Sequence, residues 1–168
     1  MTKLELLNAL SETAAQTVLV RCCGATRWAE RMAARWPFDG EAEACAVAEE
    51  IWRSLERDDW LEAFAAHPKI GDLGELRNKF ARSAAWCAEE QGGVAGAEEA
   101  TLRALADGNR AYEAKFGYIF IVCATGKTAA EMLAILDKRL GNVPEEELGI
   151  AAAEQEKIML LRLRKLCS

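Results

Sequence analysis

The chain contains one histidine, His67, and its imidazole is the natural candidate for acid–base chemistry near neutral pH. An ordinary imidazole has a pKa of about 6.5, so it can both give and accept a proton under cellular conditions. Pro68 follows it and a glycine-containing stretch comes next, which predicts that His67 lies at a helix exit and faces a cleft. The alternative is a hydrogen-bonded core or surface histidine without a catalytic role.

A second group of polar side chains consists of Cys87, Glu90 and Gln91. Their i, i+3 and i+4 spacing predicts that a thiol, a carboxylate and an amide share one face of a helix. Such a face can grip a small polar molecule. Taken alone, Glu90 is also compatible with a solvated acid beside Glu89.

Arg162 is the third candidate, because it lies at helical spacing from apolar residues such as Ile158 and Leu166. A guanidinium on an apolar face needs an anion, which points to a substrate carboxylate or carbonyl. The alternatives are an arginine whose charged end reaches the rim, or one that pairs with an internal acid.

Helical signals that would position these residues recur along the whole chain. They include capping boxes at Thr2 with Glu5 and at Thr128 with Glu131, and a stripe of Trp28, Met32 and Trp36 that Pro37 ends. Asp58 or Asp59 is expected to cap the helix that stops near His67. The predicted helices are residues 4–10, 12–22, 28–36, 41–55, a short one through residues 60–64, and then 78–91, 98–116, 128–140 and 144–166.

Two segments do not follow this helical pattern. Residues 69–76 contain Gly71 and Gly74 and are predicted to form a loop. Residues 117–124 are a short apolar run that periodicity leaves ambiguous between a strand and a buried helix, and we interpret it as buried and partly extended.

Composition limits the classes of function. A length of 168 residues with 51% hydrophobic residues predicts a single globular domain over residues 1–168, and a net charge of -6 argues against nucleic-acid binding. No run is long and apolar enough for a membrane span, and no secretory signal is recognisable, so we expect a cytoplasmic protein. The six cysteines contain no Cys-x-x-Cys pair, which predicts reduced thiols and no metal site.

Several motifs together resemble the family of 2-oxo-4-hydroxy-4-carboxy-5-ureidoimidazoline (OHCU) decarboxylases, which make S-allantoin in urate breakdown. The resemblance spans nearly the whole chain, and residues 64–72 look like the family's His-Pro loop. The matching segments are residues 35–38, 64–72, 90–93, 109–124 and 157–163.

The resemblance implies an all-α fold, a homodimer, no cofactor and a small ureidoimidazoline substrate. His67 and Glu90 would be catalytic, while Pro68 would shape the pocket. Cys87 stands where the family usually has serine, and a thiol is a poorer hydrogen-bond donor than a hydroxyl. The residues implied in substrate binding are Pro68, Cys87, Gln91, Phe120, Ile121, Val122, Cys123, Ala124 and Arg162, the segment 120–124 acting through its main chain.

Two other functions are compatible with the residues themselves. A helical interaction module would use the aromatic stripe and the acidic helices to hold a protein partner, without catalysis. A hydrolase or transferase would use Cys87 as its nucleophile, with His67 as the base. Convergence of His67, Glu90 and Arg162 on one concave pocket would favour the decarboxylase over the interaction module.

Overall fold

The computed structural model describes residues 2–67, 73–78 and 95–168, with side chains from residue 98 onward in the last range. Every regular element in these ranges is a helix, in agreement with the predicted all-α class. The helices are α1 (Lys3–Asn8), α2 (Glu12–Cys23), α3 (Thr26–Ala34), α4 (Glu41–Arg53), α5 (Arg57–Ala65), α6 (residues 73–78), α7 (Ala95–Phe116), α8 (Ala129–Leu140) and α9 (Pro144–Cys167).

The chain divides into two compact units. The first comprises Met1–His67 with Ile150–Ser168, and the second comprises Pro68–Gly149. None of the helices among the described residues has the length and apolar character that crossing a membrane requires.

The first unit has an aromatic and aliphatic core. Its largest fully buried side chains are Leu19, Trp28, Met32, Trp52, Phe64, Met159 and Leu163. The indole N–H groups in this core donate to main-chain oxygens, as Trp28 does to Ala48 at 3.2 Å and Trp52 does to Ala152 at 3.0 Å. The rings are therefore buried without leaving their polar atoms unpaired.

Local sequence signals account for several helix ends in this unit. The capping box of Thr2 and Glu5 begins α1, as predicted, and α2 ends at Gly24 in the left-handed conformation. Two predictions were wrong. Helix α3 ends at Ala34, so Trp36 lies beyond it and donates from its indole to the Leu7 carbonyl at 2.9 Å.

The second wrong prediction concerns the start of α5. Its N-cap is Glu56, not Asp58 or Asp59. Asp59 instead occupies the third helical position, where its carboxylate accepts from the Glu56 N–H at 3.1 Å and pairs with Arg27 at 3.1 Å. The acid that looked like a cap is thus the reciprocal member of the capping box.

The second unit buries a separate cluster. Its members are Leu76, Leu102, Leu105, Ala106, Tyr112, Phe116, Met132 and Leu136. The predicted capping box of Thr128 and Glu131 begins α8. Residues 119–124 have no regular secondary structure and are buried or partly buried, which agrees with the burial expected for the run 117–124 apart from exposed Gly117; its partly extended backbone stays a prediction.

The loop predicted over residues 69–76 is replaced in its second half by a helix. Residues 69–72 lie outside the described residues, and residues 73–76 belong to α6. Leu76 is buried in the cluster of the second unit, and this apolar contact favours the helix over the turn preference of Gly74. The helix predicted over residues 78–91 lies outside the description apart from residue 78.

Candidate active site

His67 lies two residues beyond the end of α5, as the His-Pro sequence predicts. Ala66 is the C-cap, and the His67 N–H still donates to the Phe64 carbonyl at 3.2 Å. The main chain is therefore held to the last turn of the helix while the side chain leaves it. The imidazole is half-buried.

The imidazole and the guanidinium of Arg162 line the same pocket. The pocket encloses about 100 Å³, and its other lining residues come from the C-terminal end of α2 and from α5 and its C-cap. They are Val20, Arg21, Cys23, Gly24, Ala63 and Ala66. The structure thus brings together two of the three residues singled out for chemistry.

Burial lowers the pKa of His67 below its ordinary value, because the surroundings favour the neutral ring. A hydrogen bond with the Gln155 side chain acts in the opposite direction, and the positive charge of Arg162 lowers the pKa further. At neutral pH the ring is therefore neutral, and it can accept a proton before giving it back.

Arg162 projects from α9 and is exposed. Its Nη1 donates to the Cys22 carbonyl at 3.3 Å, a long hydrogen bond that orients the guanidinium toward the end of α2. Among the ion pairs of the described ranges, none involves Arg162. The internal acid considered from the sequence is thus absent from this part of the chain, and the charge is directed to the pocket rim.

Gly24 explains how α2 and α5 come close enough to form this pocket. Its φ of +77° suits glycine, and a Cβ at this position would collide with the Cβ of Ala66. The residue that ends α2 therefore also permits close contact with the residue preceding His67.

Sequence reasoning missed two residues of the site. Gln155 on α9 is fully buried and its Oε1 contacts the His67 Nε2, and Arg21 on α2 adds a second guanidinium to the pocket lining. The available signal for Gln155 was a polar amide on a largely apolar helix, two turns before Arg162. Nothing in the sequence distinguished Arg21 from the other polar residues of the amphipathic helix α2.

The other predicted site residues are not among the residues that line this pocket. Pro68, Cys87, Glu90 and Gln91 lie outside the described residues. Phe120, Ile121, Val122, Cys123 and Ala124 belong to the second unit. Their roles stay predictions.

Within the second unit, two cations hold the main chain of residues 120–124. Arg139 Nη1 donates to the Ile121 carbonyl at 2.6 Å, and Lys127 Nζ donates to the Cys123 carbonyl at 2.8 Å. The guanidinium also lies 4.8 Å from the centroid of the Phe120 ring. An irregular segment can be buried because donors from outside satisfy its carbonyls.

Arg139 is itself held by Glu147, and both are buried. Arg139 Nε lies 2.7 Å from Glu147 Oε1, while Asn142 Nδ2 donates to Oε2 at 3.0 Å. The Tyr112 hydroxyl donates to the same carboxylate, and burial followed by this bond raises the pKa of Tyr112. The tyrosine therefore remains a neutral donor at any physiological pH.

The two thiols at the C-terminal end of α2, Cys22 and Cys23, are not suited to nucleophilic chemistry. Burial raises the pKa of Cys22 to about 11 and that of Cys23, which lines the pocket, to about 12. Such thiols are protonated near neutral pH, whereas the nucleophile is the thiolate. Residues 2–67, 73–78 and 95–168 contain no cluster of histidine, cysteine and acidic side chains suited to a metal ion.

Fold and pocket together define a class: all-helical proteins whose candidate site combines an imidazole for proton transfer with guanidinium groups for an anion. The sequence profile described as OHCU decarboxylase matches residues 8–164. The chain therefore belongs to the OHCU decarboxylase family, which confirms the resemblance seen in the motifs.

Individual relatives agree with this assignment. The chain is 43% identical over 150 residues to the uric acid degradation bifunctional protein TTL of Arabidopsis thaliana, an alignment covering 88% of this chain and 45% of that protein. A 2-oxo-4-hydroxy-4-carboxy-5-ureidoimidazoline decarboxylase of Amia calva is 41% identical over 56 residues, 33% of this chain and 32% of that protein. The chain thus spans less than half the length of these curated relatives.

A solved structure supports the fold. The crystal structure of OHCU decarboxylase in the presence of (S)-allantoin superposes with a TM-score of 0.69 at 40% identity, covering 88% of this chain and 94% of that chain. At this identity the likeness extends from the arrangement of helices to the sequence that builds them.

Proposed function

We propose that this chain catalyses the cofactor-independent decarboxylation of OHCU to S-allantoin, as a carboxy-lyase of urate breakdown. The observation that carries the proposal is the shared pocket of His67 and Arg162 in a chain of this family. A protein-interaction surface gives no reason for a half-buried neutral imidazole and guanidinium groups to meet in one hollow.

The substrate supplies its own electron sink. When the bond between the ring carbon and the carboxylate breaks, carbon dioxide leaves and the electron pair moves toward the adjacent ring imine, whose nitrogen takes up a proton. The resulting enol then loses its hydroxyl proton and gains a proton at the neighbouring ring carbon, which gives allantoin. The protein therefore has to position the substrate and move protons.

His67 is assigned the proton transfer that fixes the handedness of the product. Its lowered pKa supports this role, because a neutral ring can accept the hydroxyl proton and deliver it to carbon. Glu90 is assigned the hydrogen bond from the substrate hydroxyl. Arg162 and Gln91 are assigned to fix the ring. Further contacts are assigned to the main chain of residues 120–124 and to the side chain of Cys87.

The size of the pocket fits a part of the substrate. Its volume of about 100 Å³ is below the ~300 Å³ of the smaller ligand pockets in proteins. We therefore assign it the carboxylate-bearing end of the molecule, which the guanidinium groups of Arg21 and Arg162 attract.

The test is circular dichroism of the products formed when urate oxidase and the following hydrolase generate OHCU in place. With this protein present, we expect the circular dichroism signal of S-allantoin to appear rapidly. Without it, the uncatalysed reaction should form both enantiomers slowly. His67→Asn should lower the rate by about 10²–10⁴-fold, the usual contribution of a positioned acid–base group. Near-normal rate and handedness with a folded His67→Asn protein would remove His67 from the mechanism.

A homodimer in the cytoplasm is part of the same proposal. The family resemblance supports the dimer, and exposed apolar side chains such as Ile150 and Leu161 on α9 supply surface of the kind that an interface covers. The five cysteines among the described residues are buried and form no disulfide with one another, which is typical of a reducing compartment. Sedimentation velocity should give twice the monomer mass, and a monomer at micromolar concentration would refute the dimer.

A further inference from the structure

The strongest unassigned feature is the contact between His67 and Gln155. Gln155 lies on α9, its side chain is fully buried, and its Oε1 contacts the Nε2 of the imidazole. Its amide nitrogen has no hydrogen-bond partner among the described residues. Burying an amide destabilises a fold unless it is hydrogen-bonded, and the contact of Oε1 with His67 is the hydrogen bond that the described residues give this side chain.

The chemistry of the two groups fixes where the imidazole proton lies. An amide oxygen can only accept, so the nitrogen that faces it has to carry the hydrogen. The neutral ring is therefore protonated at Nε2, and the basic lone pair is on Nδ1. In the part of the chain that the structure describes, Nδ1 has no hydrogen-bond partner.

We propose that Gln155 is a positioning residue that holds His67 as the Nε2–H tautomer, so that Nδ1 is the atom that exchanges the proton with the substrate. The assignment of Nδ1 rests on the proposed function, whereas the tautomer and its dependence on Gln155 do not.

Gln155 also opposes the effect of the pocket on the pKa of the His67 imidazole. The charged or titratable groups that line it beside the imidazole are Arg21 and Cys23 from α2 and Arg162 from α9. Burial and the charge of Arg162 disfavour protonation of the ring, and the bond to Gln155 opposes them. The amide therefore keeps the pKa of His67 closer to the working pH than the pocket alone would.

The single histidine makes the tautomer directly measurable, because every imidazole signal in the NMR spectrum belongs to His67. In the wild-type protein above the imidazole pKa, the ¹⁵N shifts should show the proton on Nε2. Gln155→Leu should lower the pKa of His67, and Gln155→Glu should raise it while keeping the Nε2–H tautomer, since a carboxylate also accepts. Gln16→Leu, the same change in α2 away from the pocket, is the control and should leave both readouts unchanged.

Activity gives the second readout. Loss of an outer partner that orients a histidine typically costs ~10–100-fold, as measured at metal-bound histidines, and we expect a loss of this size in kcat for Gln155→Leu with KM little changed. The acid limb of the pH–rate profile should move to lower pH in Gln155→Leu and to higher pH in Gln155→Glu. A general packing defect would not move the two variants in opposite directions.

Three results would overturn the proposal: a neutral wild-type ring protonated at Nδ1, identical imidazole titrations in wild type and Gln155→Leu, or shifts of the two variants in the same direction. The wild-type spectrum decides the tautomer even when Gln155→Leu does not fold. If the spectra are as expected but the wild type does not decarboxylate OHCU, the proposed function fails and the pairing of His67 with Gln155 stands.

Discussion

At the scale of single residues, Arg162 decides how an anionic substrate is held. The sequence left open whether its guanidinium binds substrate, reaches the rim or pairs with an acid. The described residues place it at the rim of the His67 pocket, held through one long bond to the Cys22 carbonyl. A guanidinium with a neutral partner keeps its charge available for a ligand carboxylate.

Arg162→Gln should therefore weaken substrate binding more than it slows the chemical step. We expect KM to rise about tenfold or more, since a charge-assisted hydrogen bond contributes about 1.5–3 kcal/mol. Steady-state kinetics on OHCU generated in place measures both constants. Arg164→Gln changes an exposed neighbour on the same helix that does not line the pocket, and it should behave like wild type. If Arg162→Gln had the same kcat and KM as Arg164→Gln, Arg162 would have no part in substrate binding.

At the scale of elements, local sequence predicted most helices and two residues of the pocket, His67 and Arg162, but not the packing that brings Gln155 to the imidazole. The capping boxes at Thr2 and Thr128 were readable because their hydrogen bonds join residues three apart. Gln155 was not, because its contact with His67 joins residues 88 apart and depends on how α9 packs beside the end of α5. Residues 73–76 show the same limit, since burial of Leu76 favours a helix where glycine predicted a loop.

Gly24→Ala tests how α2 and α5 approach each other. The left-handed conformation disfavours any Cβ by about 1–2 kcal/mol, and the collision with Ala66 adds to that. We expect a lower free energy of unfolding and, because Ala66 precedes His67, reduced decarboxylation as well. Chemical denaturation and the dichroism assay measure the two effects.

Gly126→Ala is the matched control. Gly126 also has positive φ, but a Cβ there would meet nothing within 4 Å. It should show the conformational cost alone and leave decarboxylation unchanged. If Gly24→Ala lowered the free energy of unfolding and the rate of decarboxylation no more than Gly126→Ala does, the close contact between Gly24 and Ala66 would not be needed for the site.

The ion pair of Arg139 and Glu147 should be critical for the second unit. Arg139→Met leaves the fully buried Glu147 carboxylate without its cation and the Ile121 carbonyl without its donor. Removing one partner of a buried pair costs about 3–5 kcal/mol, which we expect to see in denaturant unfolding. The double variant Arg139→Met with Glu147→Met should recover much of this loss, because it leaves no unpaired buried charge. A double variant as unstable as the single one would contradict this account.

At the scale of the whole molecule, the pH dependence of stability can be divided into a contribution from the single histidine and a contribution from the many carboxylates. The net charge is -6, and apart from a terminal amine or a strongly perturbed thiol only His67 has an ordinary pKa between pH 5 and 8. His67 is therefore the side chain expected to contribute most to a change of stability in that range. This links a property of the whole fold to the environment of the candidate catalytic group.

The sign of that dependence follows from the lowered pKa of His67 in the folded state. Below its ordinary pKa of about 6.5 the unfolded chain binds the imidazole proton more readily than the folded protein does, so protonation favours unfolding. Stability should therefore be full above about pH 6.5 and fall as the pH decreases toward the folded-state pKa, with a slope of at most about 1.4 kcal/mol per pH unit.

Denaturant unfolding at a series of pH values, in wild type and in His67→Asn, measures this pH dependence of the free energy of unfolding. The difference between the two curves isolates His67 from the carboxylates, and we expect it to be flat above pH 7 and to slope below. A difference that is flat throughout, or that slopes in the opposite direction, would mean that the fold does not disfavour the imidazolium, and the neutral base assigned to His67 would lose its physical basis.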